Sequence, residues 1–409
     1  MSAASRTVGV FSERMRRARA RTDHLFEVLQ PHALYSRPIP ERHRLIFYLG
    51  HLEAFDWNLI SRKTLDIPSF QPELDQLFEF GIDPPVGQSP SDQPSDWPSA
   101  GEVTAYNEKV RKLLDDSLPL VPEQIVHVAL EHRLMHAETL AYLLHNLQYG
   151  DKIAVTATEP PPSRRLAHAM IGIPEGEATL GQNPAEFGWD NEFDRHRVRV
   201  PAFSIRKYKV TNGEYLAFVR EGAAPPHFWS RRGDDWFYRG MFAEVPLPLN
   251  APVYVTHDQA TAYARWIGQA LPTEAQFHRA AFGTQSGDER PYPWKDEAWG
   301  NPGVARGNFN FYDWDPIDVD SNPAGDSAFG VAQLIGNGWE WTSTKFGPFA
   351  GFQPFPFYPG YSNNFFDEAH YVMKGASPRT DACFLRRSFR NWFRPDYPYV
   401  YSCFRTVES

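Results

Sequence analysis

Glu131-His132-Arg133-Leu134-Met135-His136-Ala137-Glu138 is the stretch from which the fold can be read. His132 and His136 are four residues apart, so on a helix both imidazoles leave the same face. Ile125, Ala129, Thr139 and Leu143 share that face, which makes it an apolar, inward-pointing stripe. Histidines on such a stripe are costly unless their nitrogens are used. A bound metal is the commonest use, and imidazole suits iron, zinc, copper and nickel alike. A third ligand is expected from a facing helix. His51, in Tyr48-Leu49-Gly50-His51-Leu52-Glu53, is the candidate. Three histidines on one side of an ion leave positions open for catalysis. The competing reading is a set of satisfied core histidines, and His127 and His145 on the same helix show how frequent imidazole is here.

Working outward, the stretch belongs to a helix running from Pro122 to about Gln148 and closed by Gly150. Three more helices precede it: Glu13 to Leu29 capped by Ser12, Glu41 to Ile60, and Ser99 to Leu118 with Glu102 in its first turn. A long Pro-, Asp- and Ser-rich segment, Pro68 to Pro98, joins the second to the third, and a connection of that length is usually functional or ordered by a partner. Four helices with one long crossover predict a bundle over residues 1–155. Pro160, Pro161 and Pro162 mark a linker over 156–168. Residues 169–409 follow a different grammar. Strands are expected at Arg197 to Ile205 and Ala251 to Val255, and short helices at Val255 to Gly268 and Thr273 to Phe282. From Gly283 onward glycine, proline, asparagine and aromatic residues leave little regular period.

Composition narrows the classes. The 409 residues are 42% hydrophobic and 22% charged, a globular balance spread over more than one core. No apolar run approaches a membrane span, and the basic N-terminus, Met1 to Arg21, lacks a signal core, so neither membrane nor secretion is expected. A net charge of −9 without a basic stripe argues against nucleic acid. Two cysteines, Cys383 and Cys403, exclude a disulfide framework and fit a reducing cytoplasm. Aromatic residues reach 15%, with 36 prolines and 28 glycines, which suits irregular backbone pinned by large rings.

A series of motifs runs through the second half. Pro174-Glu175-Gly176 and Leu180-Gly181 come first, then Phe187-Gly188-Trp189-Asp190-Asn191-Glu192 and Tyr208-Lys209-Val210-Thr211-Asn212. Leu271-Pro272-Thr273-Glu274-Ala275-Gln276, Gly336-Asn337-Gly338-Trp339-Glu340-Trp341-Thr342 and Arg390-Asn391-Trp392 follow. In this order the series resembles the formylglycine-generating-enzyme fold, a modified C-type-lectin-like domain. Behind a helical half that resembles the DinB bundle, the whole chain is similar to the EgtB-type ergothioneine sulfoxide synthases. The expected class is therefore α+β: a DinB-like four-helix bundle, then a formylglycine-generating-enzyme-like domain with little regular secondary structure.

The resemblance implies a mononuclear non-haem iron(II) enzyme that uses O2 to join a thiol to the imidazole C2 of hercynine as a sulfoxide. His51, His132 and His136 match the family's iron triad. Asn391 and Trp392 match its substrate-binding Asn-Trp, and an indole face suits a quaternary ammonium. Arg390 and Arg394 are candidates for a substrate carboxylate, against the alternative of ordinary salt bridges. Tyr361 is the first candidate for the catalytic tyrosine, ahead of Tyr399 and Tyr401. Trp339-Glu340-Trp341 is expected to serve packing, and Trp189-Asp190-Asn191-Glu192 to form a turn rather than a cation site.

Two positions depart from the pattern. Met135 stands where many relatives carry a glutamine that helps to bind hercynine. Phe393 replaces the aspartate found in users of γ-glutamylcysteine, which favours free cysteine. Neighbouring activities stay open: a selenoneine synthase taking a selenosugar, an ovothiol-type synthase acting on histidine, or a lectin-like binding module with a structural metal. A formylglycine-generating enzyme is excluded. Its close cysteine pair is missing, with Thr380 and Leu385 near those places.

Overall fold

The computed structural model describes residues 3–81, 90–153, 166–295 and 303–408, with side chains from residue 9. The chain divides into two compact units, Met1–Thr156 and Ala157–Ser409. Residues 156–165 of the expected linker lie outside the described residues. Among the described residues no helix is long and apolar enough to cross a membrane.

The first unit holds α1 (Ala3–Glu27), α2 (Leu45–Asp56), α3 (Pro72–Phe80), α4 (Ala100–Ser117) and α5 (Glu123–Asn146). Helix α5 packs on α1 and α2, and α2 also packs on α3 and α4. Its core combines buried aliphatic residues, among them Leu45, Ile46, Leu52, Val103, Val110 and Leu140, with buried Trp57, Phe78 and Tyr106. Each buried leucine, isoleucine or valine side chain contributes about 1.5–3 kcal/mol against staying in water. Helix α4 starts where the sequence suggested, and there Ser99 and Glu102 close a reciprocal cap.

Three expectations are corrected here. Helix α1 begins at Ala3, so Ser12 lies inside it rather than capping it; nothing in 3–11 breaks a helix. Helix α2 begins at Leu45, not Glu41, because Arg44 is extended and its guanidinium is tied to Asp92 (2.8 Å) and to the Tyr35 carbonyl (2.8 Å). Its far end passes into a π-helical turn, Trp57–Thr64. The long segment 68–98 is not all connection: α3 lies within it, started by Pro72 with Glu73 and Asp75 in its first turn. Residues 82–89 of that segment lie outside the described residues.

The second unit contains α6 (Asn212–Arg220), α7 (His257–Trp266) and α8 (Glu274–Phe282). Each starts on a threonine whose side chain accepts from the backbone N–H three residues on, answered by a Glu or Gln there. A four-stranded sheet runs in the order Asn391–Phe393, Tyr371–Ala376, Gly338–Lys345, Ser402–Cys403. Its first three strands pair antiparallel, and the last pairs parallel to Gly338–Lys345. The region after Gly283 is therefore more regular than its composition suggested; the strands are short, and a register shift between Trp341 and Lys345 hides their alternation. The expected strand Arg197 to Ile205 is two strands, His196–Val200 and Phe203–Arg206, because Pro201 has no N–H to donate. Ala251 to Val255 is not a strand and touches Thr211 only through a bridge at Pro252.

Trp339 and Trp341 are buried, and Glu340 between them is clasped by Lys209 (2.7 Å) and Arg405 (2.6 Å). Trp189 to Glu192 forms a tight turn, with the Glu192 carboxylate accepting from the Trp189 N–H at 2.8 Å. Glu192 is fully buried against Arg386 and Ser388.

Candidate metal centre and aromatic site

Helical spacing brings His132 and His136 together on α5, and the packing of α2 on α5 adds His51. One nitrogen from each ring lies within 4.8 Å of the other two. His51 Nε2 and His136 Nε2 are 3.2 Å apart. Two imidazole nitrogens bound side by side to one ion, at about 2.1 Å each, stand about 3 Å apart. One pair stands at this separation, and with the third nitrogen within 4.8 Å of both the three form a group that could hold a metal ion from one side.

The surroundings set the rings' chemistry. His51 Nδ1 donates to the Phe78 carbonyl at 2.6 Å, which leaves Nε2 with its lone pair. Phe55 stacks flat on His132 (3.4 Å between centroids) and Phe47 on His51 (4.7 Å). His51 and His132 are buried, whereas His136 is partly exposed. Burial holds His51 down to about 4 and holds His132 and His136 well below the usual imidazole range. All three are neutral at pH 7, the state in which imidazole binds metals.

Directly beside the triad, Arg133 is fully buried. It pairs with Glu53 (2.8 Å) and Asp56 (2.8 Å) and donates to the Leu52 carbonyl (2.9 Å). Burial opposes ionisation of Glu53, but Arg133 and Arg111 prevail and hold its carboxyl below the usual range. At Asp56 burial prevails and pushes the carboxyl up to about 6. Helix α3 is anchored by buried Asp75, which accepts from Trp57 Nε1 (3.1 Å), the Tyr106 hydroxyl (2.7 Å) and Ser69. That anchor fixes the Phe78 carbonyl and, through it, His51.

The second unit gathers an aromatic site around Trp392. Phe346 stacks on one indole face (4.2 Å, 7°), Tyr361 meets it edge-on (5.4 Å) and Phe365 lies 5.6 Å away. Tyr361 is itself stacked on Trp189 (3.9 Å). Asn391 is half-buried, with its side-chain oxygen accepting from the Trp392 N–H (2.9 Å). Arg390 is buried and engaged with Glu274 (3.1 Å) and the Gly347 (2.9 Å) and Asn191 (3.3 Å) carbonyls. Arg394 is exposed. Tyr399 and Tyr401 belong to other ring clusters, with His227 and with Tyr254.

Comparison with known proteins fits this picture. Residues 156–409 match the sulfatase-modifying factor enzyme 1-like domain. A hercynine oxygenase of Mycolicibacterium smegmatis is 31% identical, covering 94% of this chain and 95% of its own. That of Mycolicibacterium thermoresistibile is 33% identical over 80% of this chain and 78% of its own. The chain belongs to the hercynine oxygenase family. Ergothioneine biosynthesis protein 1 of Neurospora crassa is 28% identical over 94% of this chain, which spans only 56% of that longer protein.

Within this hercynine oxygenase relative, Met135 is partly exposed beside His136, and Phe393 stacks on Tyr397 (5.2 Å, 14°). Sequence reasoning missed Phe55, the Phe78 carbonyl and the Glu53–Asp56–Arg133 network. Only the last left a signal: an arginine on the inward stripe between the two histidines, with acidic residues two and five positions after His51.

Proposed function

We propose that the protein is an iron(II)- and O2-dependent sulfoxide synthase of ergothioneine biosynthesis, acting in the cytoplasm. It joins the sulfur of a thiol, cysteine in preference to γ-glutamylcysteine, to the imidazole C2 of hercynine. The reaction balances without an external reductant. The S–H and C2–H bonds are lost and a C–S bond and an S=O bond form. O2 accepts four electrons, giving one oxygen to sulfur and one to water. The observation that carries this reading is the convergence of three neutral histidines in a chain belonging to the hercynine oxygenase family. We read the first unit as a DinB-like bundle and the second as the formylglycine-generating-enzyme-like domain.

His51, His132 and His136 hold the ion, and the Phe78 carbonyl fixes the His51 tautomer. Bound iron(II) supplies one centre at which sulfur, imidazole and dioxygen can meet. Trp392 offers one indole face to the trimethylammonium group, since Phe346 takes the other. Asn391 adds polar contacts beside it. Tyr361, at the edge of Trp392, moves the proton. Arg394, exposed, is the better candidate for the thiol substrate's carboxylate; at Arg390 that carboxylate would have to compete with Glu274. Phe393 offers no charge for the ammonium group of a glutamyl moiety, which favours cysteine.

The test is a product assay with iron(II), reductant, O2 and hercynine, offering cysteine, γ-glutamylcysteine and a selenosugar separately, read by mass spectrometry. A hercynine–cysteine sulfoxide is expected. Product with the selenosugar alone, or no product dependent on hercynine, overturns the assignment.

A further inference from the structure

The turn at Trp189-Asp190 plays no part in the function proposed above, yet both residues are buried. Phe355, Tyr358 and Tyr361 are spaced three apart. The Tyr358 N–H bonds to the Phe355 carbonyl (3.0 Å) and the Tyr361 N–H to the Tyr358 carbonyl (3.3 Å). Successive turns of that kind bring every third side chain to the same side. All three rings meet Trp189, at 6.3, 6.4 and 3.9 Å respectively. The next residue of the turn, Asp190, holds the far end of the same loop. Its carboxylate accepts from the buried Ser362 hydroxyl. Asp190 and Ser362 are 172 residues apart in sequence, so this is a tertiary clasp and not a local turn.

We infer that Trp189 and Asp190 are positioning residues for Tyr361: they clamp the loop 355–362 so that the phenol is presented at the edge of Trp392. The inference rests on the reading of Tyr361 as the proton-moving group. The clamp needs no contact with substrate. It acts by removing the loop's freedom before substrate arrives, so its loss is felt in turnover more than in binding. Burial keeps the Asp190 carboxyl above its usual range, and the Tyr358 hydroxyl beside it is pushed up to about 12 by burial and by that carboxyl.

The test uses the full chain with 3-fluorotyrosine at position 361, and the variants Asp190→Ala, Asp190→Asn and Ser362→Ala. Ser362→Ala removes one hydroxyl and leaves the Trp189 stack, so it reports even where Asp190→Ala folds poorly. Asp190→Asn keeps an acceptor for Ser362. We expect the fluorine resonance to move or broaden in Asp190→Ala and Ser362→Ala and to stay near its place in Asp190→Asn. With hercynine and cysteine, kcat falls about tenfold or more in the first two, KM stays within about twofold, and Asp190→Asn recovers most of the loss. In a Tyr361→Phe background Asp190→Ala should cost nothing further. An unmoved resonance overturns the clamp whatever the activity, as does an additive loss in the Tyr361→Phe background. A resonance that moves while Tyr361→Phe keeps full activity supports the clamp and overturns the role given to Tyr361.

Discussion

Gly50 precedes His51 on α2, and a Cβ there would lie 2.5 Å from three ring atoms of Phe78. Ordinary carbon contacts begin near 3.5 Å, so Gly50→Ala must open the α2–α3 contact by about 1 Å. The Phe78 ring is fully buried, and the absence of exposed space around it directs the strain into a movement of α3. The same residue's carbonyl holds His51 Nδ1 at 2.6 Å. A 1 Å retreat of α3 takes that bond to about 3.6 Å, where it no longer counts as a hydrogen bond. Overpacking of this size costs about 1–3 kcal/mol. Loss of the partner that orients a ligating imidazole typically costs about 10–100-fold in metal affinity. Gly50→Ala should therefore melt lower and bind metal 10–100-fold more weakly, measured by titrating cobalt(II) into chelator-treated protein and following its visible absorption. Phe78→Leu in the same chain makes room for the methyl group and should return most of the affinity. Cobalt binding by Gly50→Ala within about twofold of the parent would refute the coupling of Phe78 to His51.

Other outcomes follow from the same geometry. His132→Ala or His136→Ala should abolish metal binding and product together, checked by metal analysis of the purified variants and by mass spectrometry. Chelation should lower the melting temperature without unfolding the bundle, since ion present at 100 times its Kd adds about 2.7 kcal/mol, and calorimetry with and without chelator reads the difference. Burial opposes ionisation of Glu192, but Arg386 prevails and holds its carboxyl below the unfolded value of 4.5. The stability it contributes is thus present above that value and lost as pH falls through the folded pKa. Glu192→Gln should cost about 3–5 kcal/mol at pH 7 by stranding Arg386, and should flatten the acid side of the stability profile in denaturant titrations from pH 7 to 3. Trp392→Leu should raise KM for hercynine about 2–30-fold with a smaller change in kcat, as expected for losing a cation–π contact of about 0.5–2 kcal/mol.

Much of the helical half was legible from local rules. The four-residue spacing of His132 and His136 is a property of any α-helix, so their convergence needed no tertiary information. The helix starts at Ser99 and Thr273 were legible from local residues, and the reciprocal caps found there have both partners within one turn. Helix α3 escaped because its nine residues sit in a proline- and acid-rich segment where composition outweighs a short period. The strand broken at Pro201 shows the converse: one residue without an N–H overrides an alternating pattern.

The sequence by itself determined which residues could bind a metal and, through its ordered motifs, the family to which the chain belongs. Tertiary structure decided what those residues rest on. That His51 joins the pair on α5 depends on α2 packing against α5, 81 to 85 positions away. The Phe78 carbonyl, the Phe55 ring and the clasp between Asp190 and Ser362 are likewise contacts between segments far apart in the chain. Periodicity and capping act over one or two turns, whereas each of these contacts depends on how whole elements pack. No local pattern encodes the distance at which two helices, or a turn and a distant loop, come to rest.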